Sequence, residues 1–553
     1  MQLDHELETA VFQAIQTAQK AGDLPSFDIP ELKIERPREA NHGDYASPVA
    51  LGLARLARMA PLKIAQAIAT HMPTLDYLGS VEVAPPGFIN FRLAAPWLQQ
   101  HVNTIIAEGQ NYGRIHLGDG KKAQIECVSA NPTGPIHIGR TRGGVMGDTL
   151  ARAMRLAGYE TVLEYYYNDA GRQVTMLGES TKLRYLQLLG QDITLEKDHY
   201  KGDYIIDIAR ELLEQHGDTL QEQSAEFFGD YAKERIAQSQ KETLRRINIV
   251  FDVYYREQSL YETGKVWEAL EALQEKGYVY KKDGAQWFKT TEFGDEKDRV
   301  LVKSTGEPTY RMPDIAYHWD KAQRGFDLVA DFFGPDHHAT APQVLMGVRA
   351  LGYPTDFVRT ILHQIITIIR DGVEVKMSTR AGTFVALDDV LDEVGADPIR
   401  YFMISRSGNS PIDFDLNLAL EKSDKNPVYY IQNAHVRCAG IFRKWEEEGL
   451  DPDADATADL SLLTHENELA FIRKALELPE LVELMVTTFE PHHITFYSYE
   501  LAAVFHKAYE TCRVLHSEVP EPLRLARLRF YRAAKQIFAH VLDLMGMSAP
   551  EVM

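Results

Sequence analysis

The chain has 553 residues, 59 Lys and Arg against 80 Asp and Glu, and a formal net charge of −21. At roughly 100–200 residues per domain the length implies about three to five domains. A composition of 45% hydrophobic and 25% charged residues excludes a collagen-like or mostly disordered chain. No run of about 18 apolar residues occurs, and the acidic start MQLDHELE is unlike a signal or transit peptide, so a soluble, cytoplasmic protein is expected. Cys127, Cys438 and Cys512 are too scattered for a disulfide framework and lack CxxC spacing, so reduced, buried thiols are expected.

In chain order, Leu3, Leu7, Val11 and Ile15 recur at helical spacing, with Gly22 as the stop. Residues 45–71 read as helical with a break at Pro61. Residues 81–83 and 88–91 read as short strands around Pro85-Pro86-Gly87, and a helix follows near 95–108. From about residue 115 the pattern becomes strand (124–129), helix (143–156, stopped by Gly158) and strand (161–167), the βαβ unit of a parallel nucleotide-binding sheet. Further strands are expected at 327–333 and 364–370, the latter turning at Asp371-Gly372 into 373–377. The stretch of about 176–300 reads as a mostly helical insertion, and the last hundred residues as all-helical.

The negative charge is unevenly spread. Residues 191–230 carry eleven acids against three bases, and residues 446–459 carry seven acids and no base, which reads as a solvated loop or linker. From Ala502 to Val541 seven bases stand against three acids, interleaved with Phe505, Tyr509, Phe530 and Tyr531, a pattern expected where unstacked RNA bases meet rings and guanidiniums but also where core rings lie beneath a solvated basic face. A net charge of −21 therefore argues only against indiscriminate polyanion binding.

Two motifs carry chemistry. S-A-N-P-T-G-P-I-H-I-G-R, residues 129–140, follows the first strand of the βαβ unit and opens its helix, so backbone N–H groups and the positive helix end face a phosphate site. His137 can donate to phosphate oxygens there, and Gly139 lets the backbone approach a nucleotide. Neither a dinucleotide fingerprint nor a Walker loop is present, since Asp119 stands where a Walker Lys would be. K-M-S-T-R-A-G, residues 376–382, places Lys376 on a loop where it can neutralise charge during displacement at an α-phosphate.

Together these motifs resemble the HIGH and KMSKS signatures of class I aminoacyl-tRNA synthetases, and almost the whole chain resembles the arginyl-tRNA synthetase family. The resemblance also rests on residues 43–50 (GDYASPVA), 86–91 (PGFINF), 166–171 (YYNDAG), 310–317, 334–338 (GPDHH), 426–437 (NPVYYIQNAHVR) and the ending MGMSAPEVM. It implies a multidomain α/β fold: an additional domain contacting the tRNA elbow (1–113), a Rossmann-like parallel-sheet catalytic domain with the insertion (114–424), and an all-helical anticodon-binding domain (425–553). It implies ligation of arginine to tRNA(Arg) through an arginyl-adenylate, with attack by the terminal adenosine 2′-hydroxyl and tRNA bound before activation.

The family's arginine pocket falls here on Glu126, Ser129, Asn131, Tyr310 and Asp314, with Gln343 as a further match. Paired carboxylates suit a planar guanidinium. Phosphate and adenosine contacts fall on His137, Gly139, Arg140, Gly334, Asp336, His337, Lys376, Met377 and Ser378, and tRNA contacts on Tyr430, Arg437 and Tyr509. ATP with Mg²⁺, held mainly by phosphates and water, is expected, with no protein-bound zinc despite the neighbouring His337 and His338. A monomer is expected. Two departures stand out: Arg140 replaces the last His of the first signature, and Thr379 the second Lys of the second. Arg140 and Arg380 could carry the missing positive charge.

Overall fold

The computed structural model describes residues 2–37, 39–169, 172–334, 340–375 and 385–553. The N-terminal unit starts with α1 (Leu3–Ala21), whose buried Leu3, Leu7, Val11 and Ile15 form one stripe and whose end is set by Gly22 in the left-handed conformation. β1 (Tyr45–Ser47), α2 (Val49–Ala57), α3 (Pro61–Thr70), β2 (Leu78–Ala84), β3 (Phe88–Leu93) and α4 (Ala95–Glu108) complete it, with sheet order β1-β3-β2. Residues 45–47, expected as helix, are a strand. Tyr45 pairs with Phe91 and all three residues are buried, so cross-strand burial overrides the local helical pattern.

The central sheet is five-stranded and parallel, in the order β11-β10-β4-β5-β6, from β4 (Lys122–Glu126), β5 (Glu160–Tyr167), β6 (Val253–Arg256), β10 (Leu328–Phe333) and β11 (Val358–Leu362). Chain order runs outward from β4 in both directions, so the topological switch lies between β4 and β10, where ligands bind in open α/β sheets. The first crossover is α5 (Ile138–Leu156), five residues longer at its start than its apolar pattern implied. It lies close on β4: a Cβ on Gly147 would meet the Cys127 Sγ at 2.7 Å, so only glycine fits there.

Between β5 and β6 stand α6 (Arg172–Leu188), α7 (Asp203–His216) and α8 (Ala225–Arg246). Between β6 and β10 stand α9 (Glu257–Glu262), α10 (Lys265–Glu275), the antiparallel trio β7 (Val279–Lys282), β8 (Ala285–Phe288) and β9 (Arg299–Val302), and α11 (Arg311–Gln323). The stretch read as one insertion therefore contains β6, the sheet's edge strand. Its short VYYR segment is too brief for sequence periodicity to separate from the flanking helices.

After α12 (Ala341–Ala350), residues 364–370 do not join the central sheet. β12 (Ile366–Arg370) lies in a second sheet, β13-β12-β14, with β13 (Val373–Glu374) and β14 (Ile412–Asp415). α13 (Leu387–Val394), α14 (Ala396–Met403) and α15 (Leu416–Leu420) surround it. The C-terminal part is all-helical: α16 (Pro427–Glu447), α17 (Glu466–Ala475), α18 (Leu478–Thr488), α19 (His493–Thr511) and α20 (Glu521–Leu544). No helix among the described residues is long and apolar enough to cross a membrane. The three cysteines are free and buried.

Candidate active site

At the switch point, β4 ends in Glu126 and the chain turns through Val128 and Ser129, whose φ values of 71° and 43° are left-handed. For a β-branched residue this is a strained conformation, costing about 1–3 kcal/mol, of the kind that functional sites retain. The turn delivers the first signature to α5: His137 is the N-cap, its Nδ1 accepting the Gly139 N–H at 2.8 Å. The neutral ring then carries its proton on Nε2. Partial burial, and then Arg140, lower the His137 pKa, which keeps the ring neutral at pH 7.

Two adjoining cavities open here. One, of about 300 Å³, is lined by Glu126, Ser129, Asn131, Arg140, Tyr310 and Asp314, together with Tyr166, Glu257, Tyr317 and His318. The other, of about 410 Å³, is lined by His137, Gly139, Arg140, Gly334, His363 and Gln364. Val128, Arg140 and Phe332 belong to both, so Arg140 stands at their junction. The second signature, including Lys376, Met377, Ser378, Thr379 and Arg380, lies outside the described residues, as do Asp336, His337 and His338. Its exit is nevertheless placed: Ala386 pairs with His137, the Ile138 N–H donates to the Val385 carbonyl at 3.1 Å, and Leu387 N–H to Ile136 at 2.8 Å. The chain thus returns from the second motif directly onto the first.

Tyr310 and Asp314, at the start of α11, both face the first cavity, as their spacing implied. Gln343 is buried, is not among the lining residues, and accepts the Arg311 Nε–H at 2.7 Å. Ser129 Oγ donates to Glu126 Oε1 at 2.8 Å, and Asn131 donates to Gln173. The sequence reading missed Glu257, which lines the cavity from the first residue of α9, directly after β6, and accepts the Tyr166 hydroxyl at 2.9 Å. Its only sequence signal is a position just beyond a strand's carboxyl end, and that strand was itself missed.

Electrostatics favour a cationic ligand. Burial raises the Asp314 pKa to about 6, with Glu126 adding to the rise. Burial, and then Asp314 and Asp169, raise that of Glu257 to about 7 despite the Tyr166 hydrogen bond. Neither carboxyl has an ion-pair partner among the described residues.

In the C-terminal part, Tyr430 packs on Tyr499 and His506 with ring centroids 5.0 and 4.5 Å apart. Arg437 lies 5.0 Å over the Tyr509 ring and donates to His506 Nδ1 at 2.9 Å. A groove of about 660 Å³ beside them is lined by Arg437, Arg443, Lys444, Tyr509, Arg513 and His516, among others. Phe505, Phe530 and Tyr531, interleaved with the C-terminal bases in sequence, are buried core residues. Of the bases on α20, Arg527 pairs with Glu468, Arg532 with Asp455 and Lys535 with Glu551. Asp455, read as part of a solvated linker, is fully buried.

The sequence matches three family models: "Arginyl tRNA synthetase N terminal domain" over residues 5–93, "tRNA synthetases class I (R), catalytic domain" over 101–403, and "DALR anticodon binding domain" over 431–553. Arginine–tRNA ligase of Caldanaerobacter subterraneus is 43% identical, the match covering 99% of this chain and 98% of that protein. That of Salinibacter ruber is 44% identical, over 96% and 97%. The solved arginyl-tRNA synthetase of Thermus thermophilus shares the fold, with a TM-score of 0.74 at 23% identity over 99% of this chain and 100% of that one.

Proposed function

The chain belongs to the arginyl-tRNA synthetase family, and from that premise we propose that it joins arginine to tRNA(Arg) at these two cavities. The observation that carries the reading is a carboxylate-rich pocket sharing Arg140 with a cavity at a helix N-terminus, so a cationic amino acid lies beside a triphosphate. Asp314 and Glu257 face the guanidinium, with Glu126 and Tyr310 completing the wall, and Ser129 and Asn131 sit at the α-amino end. The arginine carboxylate attacks the α-phosphorus of ATP, forming the acyl-phosphate bond as pyrophosphate leaves.

His137 Nε2–H, the N-terminal amides of α5, Arg140 and Lys376 stabilise the charge on the phosphoryl oxygens. Gly139, Gly334, Asp336, His337, Met377 and Ser378 hold the nucleotide, whose Mg²⁺ is carried by phosphates and water. The 2′-hydroxyl of the terminal adenosine then attacks the activated carbonyl and releases AMP. Tyr430, Arg437 and Tyr509 grip the anticodon end of the tRNA by stacking and charge. The protein works as a monomer in the cytoplasm.

Charging of tRNA(Arg) with radiolabelled arginine and ATP tests this. Formation of arginyl-tRNA that is competed by canavanine but not by lysine is the expected result. Retained tRNA binding with no charging at micromolar protein would instead make the chain a tRNA-binding protein on a synthetase fold.

A further inference from the structure

Three carboxylates stand in register across the central sheet: Asp331 of β10 beside Glu126 of β4, and Glu126 beside Glu164 of β5. All three are buried. Such a row in a low-dielectric interior requires cations. The end of α11 and its C-cap supply two, one turn apart. Arg324 forks onto Glu164 with bonds of 2.6 and 3.0 Å. Lys321, fully buried, donates to Glu126 Oε2 at 2.6 Å and to Asp331 Oδ1 at 2.7 Å, with its ammonium 4.5 Å from the centroid of the Tyr317 ring. His318 completes the cluster through Asp331 Oδ2 at 3.1 Å. Burial alone would drive Lys321 neutral, but Asp331, Glu126 and Glu164 hold its pKa above the ordinary value.

Resting on the reading of the cavity as an arginine pocket, we propose that Lys321 is a built-in cation that selects the substrate's head group. Clamped between Glu126 and Asp331, it fills the cage an alkylammonium would take, and leaves Asp314 and Glu257 for a planar guanidinium. An ammonium is a compact point charge with tetrahedrally disposed donors, suited to a closed cluster of carboxylates. A guanidinium is a flat fork suited to carboxylates at its edges. Of the three carboxylates in the row, only Glu126 lines the cavity, and its two oxygens are already engaged by Lys321 and Ser129. Lys321 is thus a positioning residue: it holds Glu126 as part of the wall and removes it as a free partner for lysine- or ornithine-like side chains.

The test measures arginine and ornithine binding to the full-length protein, with ATP affinity alongside, for the wild type, Lys321→Ala and Asp331→Asn. Lys321→Ala is expected to lose about 10- to 100-fold in arginine affinity. Its ATP affinity should change by less than about twofold, and its preference for arginine over ornithine should fall by about tenfold or more. Added ethylammonium, which refills the cage, should restore arginine affinity, whereas the bulkier tetramethylammonium should not.

Asp331→Asn keeps Lys321 in place and is expected to lower the same preference by a smaller factor. It carries the test if the alanine variant does not fold. An unchanged preference in the variant that folds, or equal losses for arginine and ATP without ethylammonium rescue, overturns the proposal. A wild type that binds no arginine overturns the pocket reading beneath it. Wild-type binding with discrimination intact in the variants overturns the role of Lys321 alone.

Discussion

The floor of the proposed arginine pocket and the C-terminal groove are both built from charged and aromatic side chains, yet they handle charge in opposite ways. Under the pocket, Lys321 and Arg324 are matched to buried carboxylates, and the unmatched acids Asp314 and Glu257 face the cavity. In the C-terminal part Arg527, Arg532 and Lys535 of α20 meet acids, whereas Arg443, Lys444 and Arg513, outside that helix, line the groove beside Arg437. In each region the charges that internal pairing leaves over line the cavity. Counts of charge along the sequence therefore misjudge both: seven bases near the C-terminus overstate the unpaired positive surface, and −21 conceals it.

Substitutions can separate the two regions. The largest effect is expected at Asp314. Asp314→Asn removes one of the two unpaired carboxylates, and kcat/KM for arginine in tRNA charging should fall by about 10³-fold or more, with tRNA affinity unchanged. Loss of tRNA binding in that variant would mean that the two regions are not separable. Next is Asp455→Asn, which leaves Arg532 without its buried partner. A loss of about 2 kcal/mol, seen as a lower denaturation midpoint with unchanged KM for arginine, is expected after allowance for the partly exposed guanidinium.

Arg437→Ala should weaken tRNA binding about tenfold and lower the slope of log affinity against log salt by about one, leaving arginine activation untouched. The smallest effect concerns pH. With Glu257 titrating at about 7 and Asp314 at about 6, both carboxyls are neutral at low pH and a guanidinium finds no counter-charge. Arginine affinity should therefore rise roughly fivefold to tenfold between pH 6 and 8, as bound arginine expels a proton. The facing groups Glu126, Lys321, His318, Asp169 and Tyr166 surround these two, and calorimetry in buffers of different ionisation enthalpy counts the proton. Glu257→Gln should flatten the upper part of the profile. A flat profile in the wild type would mean that both acids are already ionised in the free protein.

Much of the site was legible because it is local. Residues 129–140 lie between a strand and its helix, so one short segment determines the turn, the cap and Gly139 at the cavity they line. Tyr310 and Asp314 came with the family resemblance, and their spacing added only that both lie on one helix face. Glu257 and Lys321 were not legible, since each gains its role from strands far away in sequence. Lys321 reads as one more surface lysine until Asp331, in register with Glu126, closes over it. The short strands β6 and β1 were misread because four or three residues hold too little periodicity to outweigh their helical neighbours.

The sequence by itself determined the parallel nucleotide-binding sheet, the two signature motifs, the helical C-terminal part and the family, all encoded in local pattern or ordered motifs. Only the tertiary structure decided which charges cancel. Ion pairing depends on distance and desolvation, and neither can be read along a chain: Glu126 meets Lys321 across 195 positions of sequence at 2.6 Å, and Asp455 leaves an acidic run to become fully buried against Arg532.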